Sequence, residues 1–211
     1  MTGYMGPIGR IADEPAHWPV VASAEQYRGK IINVRTDTIR VPEGTTTERE
    51  VVEHPGAVGV VALDEAGRVL MIRQYRHPVG RMLWELPAGL RDVAGEPAAQ
   101  TARRELLEET GYRARDWHVL ADYFSSPGII TERLRVFLAR GLEEVPAAER
   151  TFVPENEEAH LTVDWVPLDQ ALSLVLAGEL HNGVAVVGLL AAHVASANGF
   201  GGLRDADAPE D

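Results

Sequence analysis

Between Gly95 and Tyr112 the chain reads GEPAAQTARRELLEETGY, and this stretch constrains the fold more than any other. Ala99, Ala102 and Leu106 recur at spacings of three and four residues, so they share one stripe of a helix that must be covered by apolar partners. Pro97 suits the first helical position and Thr110-Gly111 reads as a C-terminus, so the spacing predicts a helix from near Glu96 to Thr110. Glu105, Glu108 and Glu109 crowd its last turns. Carboxylates three and four apart repel by a few tenths of a kcal/mol per pair, and the helix dipole is already negative there. Two readings of the cluster stand side by side. One is a solvated acidic face balanced by Arg103, Arg104 and salt. The other is a set of hard oxygen donors of the kind that holds Mg²⁺ or Mn²⁺.

Strand-like segments surround the helix. AVGVVALD and RVLMIRQYR, joined at Glu65-Ala66-Gly67, predict a hairpin of buried strands with Val58, Val60, Leu63, Leu70 and Ile72 in the core. WHVLADYFSSPG, RLRVFLARGL and HLTVDWVPL add further strands, and two helices follow over Leu168 to Ala177 and Val184 to Ala197. Residues 1 to about 22 read as an irregular arm, and YRGKIINVRTDTIRV as one or two strands of a small β appendage. The expected organisation is an arm and appendage over 1–54, a catalytic domain over 55–200 and a disordered acidic tail over 201–211. The fold class is α+β, an α/β/α sandwich with a mixed sheet and a small antiparallel appendage.

Charge and composition narrow the function. A formal charge of −12 argues against nonspecific binding to nucleic acid or to an anionic membrane, both of which need basic surface. The absence of cysteine excludes a thiol nucleophile, a disulfide scaffold and a thiolate zinc site. With no basic-then-apolar leader and no long apolar run, the chain reads as soluble and cytoplasmic.

From Gly89 to Tyr112 the pattern G, E, seven residues, R-E-L-L-E-E-T-G-Y resembles the signature box of the Nudix hydrolases. Six residues separate Gly89 from Glu96, one more than the family usually has, which places the extra residue in the loop before the helix. IRQYRHPVGRMLWELPAGL and Pro127, fifteen residues past Tyr112, resemble the ADP-ribose pyrophosphatase branch. The resemblance implies a Nudix-type sandwich that hydrolyses the diphosphate of ADP-ribose to AMP and ribose 5-phosphate.

The same resemblance assigns roles. Glu105, Glu108, Glu109 and the Ala88 carbonyl become ligands of Mg²⁺, with Mn²⁺ as an alternative, and Arg104 braces the carboxylates. Glu96 falls at the loop-helix junction. A further glutamate positions the attacking water, drawn from Glu155, Glu157 and Glu158 of PENEEAHL, with Glu157 preferred. Arg76 and Arg73 contact phosphate, Glu85 the terminal ribose, and Glu132 joins the metal and substrate. In this branch the β appendage is exchanged between subunits and helps to hold adenine, which implies a homodimer with Tyr27 to Ile31 and Arg49 near the base. Competing expectations are hydrolysis of a GDP-sugar or NADH, and an ADP-ribose sensor without turnover.

Overall fold

The computed structural model describes residues 11–150 and 161–210. The chain divides into two compact units, Met1–Val52 and Glu53–Asp211. In the first, β1 (Val20–Arg28) pairs antiparallel with β2 (Asn33–Arg40), and β3 (Thr46–Glu53) completes a three-stranded sheet in the order β1-β2-β3. The turn closes through Gly29 N–H to Ile32 O at 2.9 Å. Strand β1 therefore begins inside the segment expected to be an irregular arm. Its VVASAEQYR has no apolar alternation because all nine residues are exposed, so it carries no burial signal for a sequence reading to find.

The second unit is layered. A mixed five-stranded sheet runs in the order β11-β8-β9-β4-β7, built from β4 (Ala57–Ala62), β7 (Ala88–Leu90), β8 (Tyr112–Phe124), β9 (Arg133–Glu144) and β11 (Arg204–Asp205). Strands β4 and β9 are parallel and the other pairs antiparallel. A smaller antiparallel sheet holds β5 (Arg68–Arg76) between β6 (Arg81–Glu85) and β10 (Thr162–Pro167). Three α-helices complete the unit: α1 (Ala98–Thr110), α2 (Leu168–Leu176) and α3 (Gly183–Ser196).

Alternation along β4 and β9 sorts the core into two halves. Val58, Val60, Phe137 and Ala139 meet Ala99, Ala102 and Leu106 of α1 on one face. Val61, Val136 and Leu138 meet Ala185, Leu189 and Ala192 of α3 on the other. A strand buried on both faces must be apolar throughout, which is why AVGVVA is an unbroken apolar run. All five residues expected in the hairpin core are buried.

Pro97 is extended (φ −62°, ψ 143°) and caps α1 from outside, its carbonyl accepting from the Gln100 and Thr101 N–H groups. The helix thus starts two residues later than the sequence suggests. Helix α3 is capped at its N-terminus, as expected, by Asn182, whose Oδ1 accepts from Ala185 N–H at 2.9 Å. The acidic tail is not disordered over 201–210. Arg204 and Asp205 pair with Val119 and His118 of β8, and Ala206 joins the α1 side of the core. The buried Arg135 guanidinium donates to the Ala208 and Pro209 carbonyls at 2.6 and 3.0 Å, and Arg91 holds Glu210 at 2.6 Å. Composition alone could not reveal that a guanidinium in β9 waits for this tail. No helix among the described residues is long and apolar enough to cross a membrane.

Candidate active site

The apolar stripe of α1 pins one side of the helix to the mixed sheet, which turns the carboxylates of its last turns toward β7. Glu109 Oε2 accepts the Ala88 N–H at 2.9 Å. Glu105 lies against Gly89: a Cβ at that position would stand 2.0 Å from the Glu105 carboxyl carbon. Strand and helix touch here because residue 89 has no side chain. The helix ends at Gly111, in the left-handed region at φ 76°, with its N–H returned to Leu107 O.

Arg104 ties the carboxylates together. Its Nη1 donates to Glu105 Oε1 at 2.7 Å and to Glu108 Oε2 at 3.4 Å, while Nη2 donates to Glu96 Oε2 at 3.2 Å. Thr101 Oγ1 also donates to Glu96 Oε2, at 2.8 Å. Hydrogen bonds from Arg104 and Thr101 hold the Glu96 carboxyl below its ordinary range despite burial. Burial alone would lower the Arg104 pKa, but Glu96, Glu105 and Glu108 together raise it. Glu96 is thus the N-terminal anchor of an ion-pair ladder running to Glu108.

A second cluster lies on the smaller sheet. The Glu85 carboxylate, 1% exposed, receives a bidentate pair from Arg76, Nε to Oε1 at 2.9 Å and Nη2 to Oε2 at 2.7 Å. The two residues, expected to make separate substrate contacts, are bonded to each other. Arg73 lies over the Trp84 ring at 5.9 Å. Glu132 is 3.5 Å from His54 Nδ1, which itself accepts the Gly56 N–H at 3.1 Å and so is not donating to the carboxylate. Burial, with the negative charge of Glu132, pushes the Tyr123 hydroxyl up to about 12. Glu155, Glu157 and Glu158 lie outside the described residues.

Among the described residues no three acidic or histidine side chains converge into a ready-made metal cage. The donor chemistry of α1 nonetheless fits Mg²⁺, which is held by one or two carboxylates with water and substrate phosphates rather than by an all-protein shell. The close approach of Gly89 to Glu105 keeps that carboxylate beside the backbone of β7. Sequence reasoning found the acidic ligand candidates but missed two features. One is the Gly89 contact, for which the only signal was a glycine after Ala88. The other is the Arg76–Glu85 pair, for which the register of β5 with β6 was needed.

A mixed sheet between helices, with one helix that carries three glutamates and their arginine and sets two of the glutamates against a short strand, is the Nudix arrangement. The chain belongs to this family: the NUDIX domain matches residues 53–185. It is similar to an ADP-ribose pyrophosphatase of Mycobacterium tuberculosis, 48% identical over 89% of this chain and 88% of that protein. An ADP-ribose pyrophosphatase of Bacillus subtilis is 35% identical over 77% of this chain and 85% of its own length. The fold also matches a solved structure described as an ADP compounds hydrolase, with a TM-score of 0.71 and 20% identity, covering 90% of this chain and 99% of that one.

Proposed function

We propose that the chain hydrolyses ADP-ribose at its diphosphate, releasing AMP and ribose 5-phosphate. The observation that carries this reading is the ladder Glu96–Arg104–Glu105–Glu108 beside Gly89, in a chain 48% identical to an ADP-ribose pyrophosphatase across nearly its whole length. Water adds across the P–O–P bridge, so one product gains its oxygen and the other its proton. Both phosphorus atoms are shielded by anionic oxygens, and the enzyme must neutralise charge before water can approach.

Glu105, Glu108, Glu109 and the Ala88 carbonyl would hold Mg²⁺ or Mn²⁺. When bound, the cation neutralises diphosphate oxygens and lowers the pKa of the attacking water. Arg104 is a positioning residue that holds Glu105 and Glu108 in register. Arg76, oriented by the buried Glu85, and Arg73 supply guanidinium groups to the phosphates. With its carboxylate 1% exposed, Glu85 acts through Arg76 rather than on a ribose hydroxyl. Glu132, one residue before β9, would join the metal shell and meet the diphosphate through the cation.

Glu157, with Glu158 and Glu155 behind it, orients the water. Glu157→Gln should therefore lower kcat at least about tenfold while changing substrate affinity little, since the interaction is made in the transition state. Unchanged kcat in the Glu155, Glu157 and Glu158 triple Gln variant would remove the loop from the mechanism. The reading also includes a cytoplasmic location, consistent with the lack of cysteine, and a homodimer.

The test is AMP release with Mg²⁺ from ADP-ribose, set against GDP-mannose and NADH. ADP-ribose should have the highest kcat/KM by at least about tenfold. A higher value for GDP-mannose or NADH would assign a different substrate to the same site. Tight ADP-ribose binding with no turnover of any of the three would make the chain a sensor.

A further inference from the structure

The helix α1 presents three sectors, and the catalytic reading uses only two. With about 100° of rotation per residue, Ala99, Ala102 and Leu106 span roughly 60° on the core side, and Glu105 and Glu109 lie about 40° apart toward β7. Arg103 and Leu107 form a third sector, about 160° from Glu105, and Arg104 falls between the second and third.

The third sector borders a cavity of about 390 Å³ between α1 and β8, walled by Gln100, Arg103, Arg104, Leu107, Arg113 and Trp117. Several arginines in this acidic chain are matched to a carboxylate, among them Arg68 to Asp64, Arg76 to Glu85, Arg91 to Glu210, and Arg135 and Arg204 to Asp122. The cavity differs. Among the described residues neither Arg103 nor Arg113 has an ion-pair partner, although Glu143 lies opposite Arg113 in strand register. Arg103 lies over the Trp117 ring at 5.4 Å, a contact that leaves its donors unspent. The buried Arg104 Nε has no acceptor. The exposed Arg103 and Arg113, with the unpartnered Nε of Arg104, thus border a space whose Leu107, Ala114 and Trp117 walls are apolar.

We infer that this cavity is a second ligand site, distinct from the carboxylate face of α1, for a small organic anion that joins a flat ring to a phosphate, the class of a nucleoside monophosphate. Volume and chemistry both select that class. The space is in the range of small-molecule sites and too large for inorganic phosphate alone. Guanidinium forks suit phosphate oxygens, and the apolar walls suit a ring. The net charge of −12 disfavours a nucleic-acid polymer, whose many phosphates would meet an acidic surface beyond the cavity.

The test is calorimetric titration of the full chain with uridine 5′-monophosphate in EDTA, which involves no turnover and uses a nucleotide that ADP-ribose hydrolysis does not release. Binding should occur with Kd below about 1 mM, and the Arg103→Ala/Arg113→Ala variant should lose at least roughly tenfold in affinity. Arg76→Ala should leave it unchanged within about twofold. Tryptophan emission should change on binding in the wild type, because an anion draws Arg103 away from the Trp117 ring. Thermal unfolding of the double variant checks that its fold is intact, and Arg103→Lys/Arg113→Lys, which keeps the charge, should bind with intermediate affinity if the alanine variant unfolds. The proposal is overturned by no binding up to about 10 mM, by equal affinity in the alanine variant (or, if that variant unfolds, in the lysine variant), or by loss of binding in Arg76→Ala.

Discussion

Single side chains in this molecule carry their weight through the charges beside them. Arg104 lies within reach of Glu96, Glu105 and Glu108 at once, so a like-charge cluster that the helix alone disfavours is held together by one cation. Substituting Glu105→Gln or Glu109→Gln keeps the shape and removes one negative donor. Turnover on the preferred diphosphate should fall at least about a hundredfold, a loss of roughly 2.7 kcal/mol in transition-state stabilisation, with circular dichroism unchanged. Near-normal turnover at saturating Mg²⁺ would remove these residues from the metal site. Two other arginines contribute to stability at acid pH through Asp122. Burial would raise the Asp122 pKa, but hydrogen bonds from Arg135 and Arg204 override it and hold the group below its ordinary value. A depressed carboxylate contributes stability that is full above its unfolded pKa and is lost as pH falls through the folded one, so the loss lies below about pH 4. Asp122→Asn removes the bidentate charge partner of the buried Arg135, leaving Glu210 at 3.9 Å as a weaker one, and should destabilise the fold by about 3 kcal/mol at pH 7. The gap between variant and wild type should then narrow on acidification, and a denaturant series from pH 7 to pH 3 that shows a constant gap would contradict the assignment.

At the scale of elements, the site depends on how closely β7 approaches α1. Because a Cβ at Gly89 would meet the Glu105 carboxyl carbon at 2.0 Å, Gly89→Ala must displace either the strand or the carboxylate. The carboxylate is the softer of the two. Turnover should drop at least about tenfold while thermal stability changes little, since a flexible side chain moves more readily than a hydrogen-bonded strand backbone. A large fall in melting temperature with normal turnover would show that the strand moves instead. What could be read ahead of the structure follows the same physics. The helix α1 was legible because its apolar stripe repeats at helical spacing, and β4 and β5 because strands buried on both faces are apolar runs. The ends of α2 and α3 fell within a residue of expectation, since Gly178 and Asn182 mark them chemically. Strand β1 was invisible because nothing covers its side chains in the described structure, so its sequence obeys no burial pattern. The ordered tail was missed because its partners, Arg91, Arg135 and β8, are remote in sequence. The carboxylate ladder was legible in its residue types, whereas the Arg76–Glu85 bond and the Gly89 contact depend on strand register and helix packing.

For the whole molecule, the remaining question is what the unit Met1–Val52 is for. Its edge strand β1 is exposed along all nine residues, and Val20, Val21 and Tyr27 are each about half exposed. An open strand edge with apolar side chains invites pairing with another chain, and natural proteins blunt such edges unless they are used. The net charge of −12 opposes association of two copies at long range, so any contact must come from short-range apolar burial rather than attraction between surfaces. A homodimer formed through this unit meets both conditions. Light scattering at about 10 μM should then give twice the mass of one chain, and raising the salt concentration should tighten the association by screening like charges over a Debye length of about 10 Å or less. Val20→Glu/Tyr27→Glu, which adds charge where the contact needs apolar surface, should shift the protein to monomer and raise KM together, if the same unit also touches the substrate. A monomeric wild type at that concentration would leave the appendage without an assembly role, and a monomeric variant with unchanged KM would separate assembly from substrate binding.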